Sequence, residues 1–312
     1  MAKINSVLGP IDTSELGFTL IHEHLILSPA GFSSNYPELF GDNYMENIVS
    51  RLKEAKKAGI DTILDATTLD LGRDVNFMAE ASRRSGVNII ACAGWWLEAP
   101  RFLAGISANQ FAEVFSREIE EGIAGTGIKA GILKASSDMA GVTMGELEVL
   151  RGVARAHLKT NVPIMLHSYA ALQVARQQLA ILKEEGVDLT RVKVDHANDT
   201  TDIEYLVWIL EQGCYLGMDR NPGRNVSPLA RTMTLKTLID VGYAERLLPS
   251  HDWTLGWPKT ENMADDHEER NPYYFLFIKK VVFPQLREMG VSKKVIDSLF
   301  VDNPRKFFEG GN

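Results

Sequence analysis

Residues 192–210, VKVDHANDTTDIEYLVWIL, pass from one hydrophobic period to another. The first part, 192–198, is a short run carrying β-branched residues and reads as a strand. The second part has helix punctuation: Thr201 and Glu204 are spaced as a capping box, and Ile203, Leu206, Val207 and Leu210 fall on one helical face. A strand feeding a helix is half of a βαβ unit, so the fold depends on how often the unit recurs.

It recurs along the whole chain. Short apolar runs at 17–24, 61–67, 87–95, 131–137, 162–168, 192–198, 214–219 and 247–253 suit strands buried on both faces. Helical stretches lie between them. Thr143 and Glu146 repeat the capping-box spacing ahead of a helix over 143–160, Gly59 and Gly186 sit where helix C-caps belong, and Asn303 before Pro304 reads as a helix start. Strand and helix alternating eight times predict an α/β fold, a (β/α)8 TIM barrel forming a single domain over 1–312. The rival is a doubly wound open sheet. It lacks support, because no G-x-G-x-x-G loop follows the first strand.

Bulk composition agrees. The chain has 312 residues, 45% hydrophobic and 24% charged, as an ordinary globular protein has. Its net charge of −8 argues against nucleic acid as a partner. No apolar run is long enough for a bilayer and the N-terminal stretch has no secretory apolar core, so no membrane partner and a cytoplasmic address are expected. Cys92 and Cys214 lie in apolar runs and read as small core hydrophobes in a reducing compartment.

In such a barrel, catalytic groups belong at the C-terminal ends of strands. Here His22 and His24 end the first strand, Lys134 lies on the fourth, His167 ends the fifth, His196 the sixth and Asp252 the eighth. Four of the seven histidines therefore fall at predicted strand ends. Alternation puts His22 and His24 on one face, about 7 Å apart at ~3.3 Å per residue, and turns Glu23 away. Two imidazoles so placed can grip one ion, and imidazole with carboxylate suits zinc and neighbouring first-row metals. Glu23 is expected to pair or cap rather than ligate. Lys134 shares a face with Ile132 and Ala130 by alternation. Burial favours the neutral form of a lysine, and a neutral amine can take up carbon dioxide as a carbamate, an anion able to bridge two metals. Spacing alone does not lead to the carbamate: for an isolated case, a strand-end lysine reaching for solvent is the commoner reading.

The motifs GFTLIHEH, AGTGIKAGILKAS, VPIMLHS, VKVDHANDTTDIEYL, LPSHDW and VDNPRKFF resemble, in order and from about residue 8 to residue 308, the phosphotriesterase family of the amidohydrolase superfamily. That family includes bacterial organophosphate hydrolases and phosphotriesterase-like lactonases. The resemblance implies two divalent metal ions. His22, His24 and Asp252 would hold the more buried one, His167 and His196 the more exposed one, and Lys134, carboxylated on Nζ, would bridge them. Zinc is the first expectation, with cobalt, manganese and iron compatible. It further implies a bridging hydroxide that attacks the substrate, with Asp252 accepting the proton. A homodimer is the assembly the resemblance suggests.

The substrate is inferred from two departures. Where the organophosphate hydrolases place a His for proton relay to the Asp equivalent to Asp199, this chain has Arg220, as the lactonase branch does. Arginine cannot shuttle protons, so it orients Asp199 or donates to a substrate carbonyl. Trp96 in GWW resembles the phosphotriesterases and is expected to line the leaving-group side, or else to fill the core under the rim. Trp253 and Trp257, in the long segment after strand eight, are expected substrate contacts. The polar stretch KTENMADDHEER reads as a solvated outer loop, which argues against long acyl chains. His251 and His267 are left unassigned, their neighbour and loop positions favouring structural or solvent roles, and His157, within the helix 143–160, is expected on the surface. The expectation is an enzyme, a lactone hydrolase with phosphotriesterase side activity. The alternatives are a phosphotriesterase or aryl carboxylesterase with another small-molecule ester, and a non-catalytic metal barrel, disfavoured because all six ligand positions are intact.

Overall fold

A computed structural model of the chain describes residues 2–97, 103, 105–259 and 267–310. It opens with an antiparallel hairpin, β1 (Lys3–Ser6) and β2 (Gly9–Asp12), that the sequence pattern did not announce. All eight expected strands then appear: β3 (Thr19–Ile26), β4 (Thr62–Asp65), β5 (Asn88–Gly94), β6 (Ile132–Ser137), β7 (Ile164–Ser168), β8 (Val192–Val194), β9 (Tyr215–Met218) and β10 (Leu247–Pro249). They pair in parallel, each with the next in sequence. A short β11 (Thr254–Gly256) pairs back onto β3. Asp252 N–H donates to the His22 carbonyl at 3.0 Å and His24 N–H to the Trp253 carbonyl at 2.9 Å, closing the ring. The architecture is a (β/α)8 barrel.

Its apolar residues form two shells. Leu133, Leu166, Val192, Val194 and Leu216 face outward into the layer that packs on the helices. Ile21, Leu64, Ile90, Ile132, Met165 and Leu248 fill the barrel interior, floored by Ile4 of the hairpin and by Phe307 and Phe308. This floor leaves the opposite end, where the strands terminate, for chemistry. Cys92 and Cys214 are both buried and free, as expected of core residues.

The helix caps correct the sequence reading in two places. Thr143 and Glu146 do form a reciprocal box at the head of Met144–Thr160. The helix Ile203–Glu211, however, is capped by Asp202, whose carboxylate accepts from Tyr205 N–H at 3.1 Å; Glu204 therefore lies one position too early to close a box with it. Asn303 is not a cap either. Its helix starts at Asp302, and the buried Asn303 amide donates to the carbonyls of Ala244 and Leu247, at 2.7 and 2.9 Å. Gly59 and Gly186 follow their helices with φ of +81° and +87°, the left-handed turn expected there. Among the described residues no helix is long and apolar enough to cross a membrane.

Candidate metal centre

The strand ends bring the predicted residues together. The β3–β4 register shifts between Leu20 and Glu23, so Ile21 fills the interior and yet His22 and His24 also turn inward. Asp252 lies beyond β10 and meets both rings: its Oδ1 is 3.4 Å from His22 Nε2 and 3.3 Å from His24 Nε2. Across the cavity His196 Nε2 and His167 Nδ1 face each other at 2.8 Å. Lys134 lies in the same cavity, with Nζ donating to the Ala66 carbonyl at 2.8 Å. It is buried, at 1% exposure, which removes the solvent-reaching reading; it shares the interior with Ile132, while Ala130 precedes the strand and packs in the outer shell.

Two of these residues have unusual backbones. His196 has φ of 59° and Asp252 of 50°, a region non-glycine residues seldom adopt. Such conformations cost of order 1–3 kcal/mol and persist only where surrounding bonds hold them. Here His196 N–H donates to Asp219 Oδ1 at 2.8 Å, and Asp252 N–H to the His22 carbonyl. The strain aims both side chains inward, off the ends of their strands.

The donor set fits divalent cations. His22 Nε2 is buried, without a hydrogen-bond partner among the described residues, and faces Asp252. Ligand atoms of His22, His196 and Asp252 lie within 4.8 Å of one another. Burial lowers the pKa of His24, His167 and His196, keeping them in the neutral form that ligates. His22 differs. Burial lowers it too, but Asp195, Asp252 and Asp219 outweigh that and push it up to about 9, so this wall favours positive charge. Burial raises Asp252, yet His22 and His196 overcome it and hold the carboxyl well below the usual range.

Arg220 crosses the site. Its Nε donates to Asp252 Oδ2 at 2.9 Å and its Nη1 to Asp199 Oδ2 at 2.5 Å. Asp199 is flanked on its other oxygen by Arg231, at 2.7 Å. The mouth is a 440 Å³ cavity lined by Trp96, Trp253, Arg224 and Arg270 among others. Trp96 meets His167 edge-on with centroids 6.2 Å apart, at the exposed side of the site. Trp253 lines the cavity although it is mostly core. Trp257 does not line it; its ring packs against His267, 3.7 Å between centroids.

Several other assignments change. His267 stacks on Trp253 and lines the cavity, a role its loop position concealed. His157 is buried, not on the surface, with Nδ1 bonded to the Val162 carbonyl at 2.8 Å. His251 and Glu23 are structural as expected, though fully buried: the Glu23 carboxylate accepts from Ser250 Oγ and from the His251 and Trp253 amides and meets His251 Nδ1 at 2.6 Å. Most of the polar stretch 259–270, residues 260–266, lies outside the described residues. Sequence reasoning missed Asp138, whose Oδ2 is 3.4 Å from His167 Nε2, and the buried charges Lys193, Asp195 and Asp219 behind His22.

Comparison with known proteins gives a consistent result. The sequence model described as "Phosphotriesterase family" matches residues 2–308. The chain is 36% identical over 321 residues to "Phosphotriesterase homology protein" of Mycobacterium tuberculosis (strain CDC 1551 / Oshkosh), covering 99% of this chain and 98% of the relative. It is 34% identical over 305 residues to "Aryldialkylphosphatase" of Saccharolobus solfataricus, covering 96% of each. A more distant relative is "N-acetyltaurine hydrolase" of Xenopus tropicalis, 26% identical over 347 residues, covering 98% of this chain and 97% of the relative.

Proposed function

The chain belongs to the phosphotriesterase family, and from that premise we propose that it is a binuclear-metal-dependent hydrolase of lactones, with aryl phosphotriesters as secondary substrates. His22, His24 and Asp252 would hold one cation, His167 and His196 the other, and Lys134 would bridge them as its carbamate. When bound, the cations supply Lewis acidity, lowering the pKa of water and polarising the scissile bond. The rest falls to the protein. Asp252, held ionised by His22 and His196, accepts the proton from the attacking water. Trp96 and Trp253 exclude water around the substrate.

Arg220 carries the choice of substrate. A guanidinium bonded to both Asp252 and Asp199 blocks any proton path between those carboxylates, because it does not deprotonate. Burial lowers its pKa, but Asp252 and Asp199 outweigh that and raise it further. Its remaining donor capacity suits a carbonyl oxygen. Phosphotriesterase activity as the main reaction is the second reading, favoured by Trp96 beside His167 and by the relative named aryldialkylphosphatase. A panel of γ- and δ-lactones and aryl dialkyl phosphates, run on cation-reconstituted protein, separates the two. Lactones should show the higher kcat/KM. Lactone turnover orders of magnitude below triester turnover would reverse the assignment.

A further inference from the structure

Behind His22 the barrel interior holds charges that the proposed chemistry does not touch. Lys193 and Asp195 alternate with Val192 and Val194 along the end of β8, so both point inward, and both are fully buried. Lys193 Nζ meets Asp195 Oδ1 at 2.5 Å and donates to the Ile21 carbonyl at 3.0 Å, crossing the barrel from β8 to β3. The other Asp195 oxygen is 3.2 Å from His22 Nδ1, and Asp219 Oδ2 is 2.9 Å from the same nitrogen. One imidazole N–H thus faces two carboxylates.

The packing is arranged for this convergence. A Cβ on Gly217 would come within 2.6 Å of Asp195 Oδ1 and 2.7 Å of Asp219 Oδ2, so only glycine lets the two carboxylates approach here. Two carboxylates buried far from solvent repel strongly unless a cation lies between them. Lys193 is that cation: besides Asp195, it lies 4.0 Å from Asp219 Oδ2. Asp195 itself has no aligned hydrogen bond on either oxygen among the described residues; its partners are the charges of Lys193 and His22. Acceptors on both sides of Nδ1 require that nitrogen to carry a proton, so Nε2, which faces Asp252, is the nitrogen left to ligate a cation.

We propose that Lys193 and Asp195 are positioning residues for the buried cation site: Lys193 holds the Asp195 carboxylate and the strand beneath His22, and Asp195 joins Asp219 in fixing the His22 ring as a ligand through Nε2. The inference rests on the reading of His22 as a metal ligand. Carboxylates behind a ligating imidazole strengthen metal binding, and their loss costs about 10- to 100-fold in affinity.

The test uses the whole protein, stripped of metal and titrated with Zn²⁺ against a competing chelator. Wild type, Asp195→Asn and the double variant Lys193→Met/Asp195→Asn are compared, each with its urea midpoint. A merely structural ion pair loses stability when one charge is removed, regains it when both are, and leaves the Zn²⁺ constants unmoved. Positioning predicts that the double variant recovers its midpoint yet still binds one Zn²⁺ about 10- to 100-fold more weakly, with the other constant unchanged. Unchanged constants, or equal losses at both sites, overturn the proposal. Wild type that binds no Zn²⁺ sinks the metal reading as well, which separates the two failures. Should the variants not fold, ¹⁵N NMR of histidine-labelled, zinc-loaded wild type decides: His22 must show a protonated Nδ1 and a zinc-shifted Nε2, and the reverse assignment refutes the proposal.

Discussion

Arg220 Nε donates to Asp252 Oδ2 at 2.9 Å, placing a permanent cation against the carboxylate that also faces His22 and His24. The same guanidinium reaches Asp199, so two carboxylates in the site are bridged by a group that cannot pass a proton between them. Replacement by histidine restores a titratable link. Arg220→His is expected to shift the ratio of phosphotriester to lactone kcat/KM towards phosphotriesters by about tenfold or more, a change of ~1.4 kcal/mol in relative barrier. Parallel kinetics on both substrates check this. An unchanged ratio removes Arg220 as the discriminator.

Lys134 is buried against the Ala66 carbonyl inside the cavity. Lys134→Ala is expected to lose bound cation and activity together. Several kcal/mol of Lewis-acid stabilisation correspond to a fall of about 10³-fold in kcat/KM. Short-chain carboxylic acids, able to stand in for a carbamate, should restore part of both. Metal analysis beside kinetics is the check; full activity without metal would refute the bridging role.

How far was this legible in the residues? The eight strands were, because buried parallel strands write themselves as short apolar runs whatever lies between them. The six proposed ligands were also visible, since polar groups at strand ends stand out against such runs. Lys193, Asp195 and Asp219 were not. A Lys and an Asp alternating with valines look like the solvated face of an edge strand, and only closure of the barrel turns that face inward. The hairpin β1–β2 escaped for the opposite reason: of its strand residues only Ile4 and Ser6 are buried, and it carries little apolar periodicity. His157 shows the limit of helix position as a guide, because the turn after its helix folds back and supplies the Val162 carbonyl. His267 was hidden because its role depends on Trp253, distant in pattern and adjacent in space.

Thr143 caps the helix Met144–Thr160 through the Glu146 amide, with Glu146 returning to the Thr143 amide. Thr143→Ala should lower unfolding free energy by about 1 kcal/mol. Urea denaturation should show it, with activity per folded molecule unaltered, because the cap lies outside the cavity.

Glu185 joins the same helix to Ala175–Glu184 through Arg155 and Arg151, at 2.9 and 2.5 Å. The Arg155 bond leads in holding its carboxyl below the ordinary 4.5, with burial opposing and Arg151 assisting. A depressed folded-state value stabilises above the unfolded value and is lost as pH falls through the folded one. Glu185→Gln should therefore cost about 0.5–1 kcal/mol at neutral pH. Urea midpoints of the two proteins should converge as pH drops below 4.5. A gap independent of pH would assign the effect to packing.

The binuclear centre is the central claim, and stepwise metal reconstitution tests it most directly. Chelator-stripped protein is titrated with Zn²⁺ while bound metal and lactone turnover are followed in the same samples. Activity should be absent at the start and reach its plateau at two equivalents per chain. Turnover by metal-free protein, or saturation of both binding and activity at one equivalent, would contradict it.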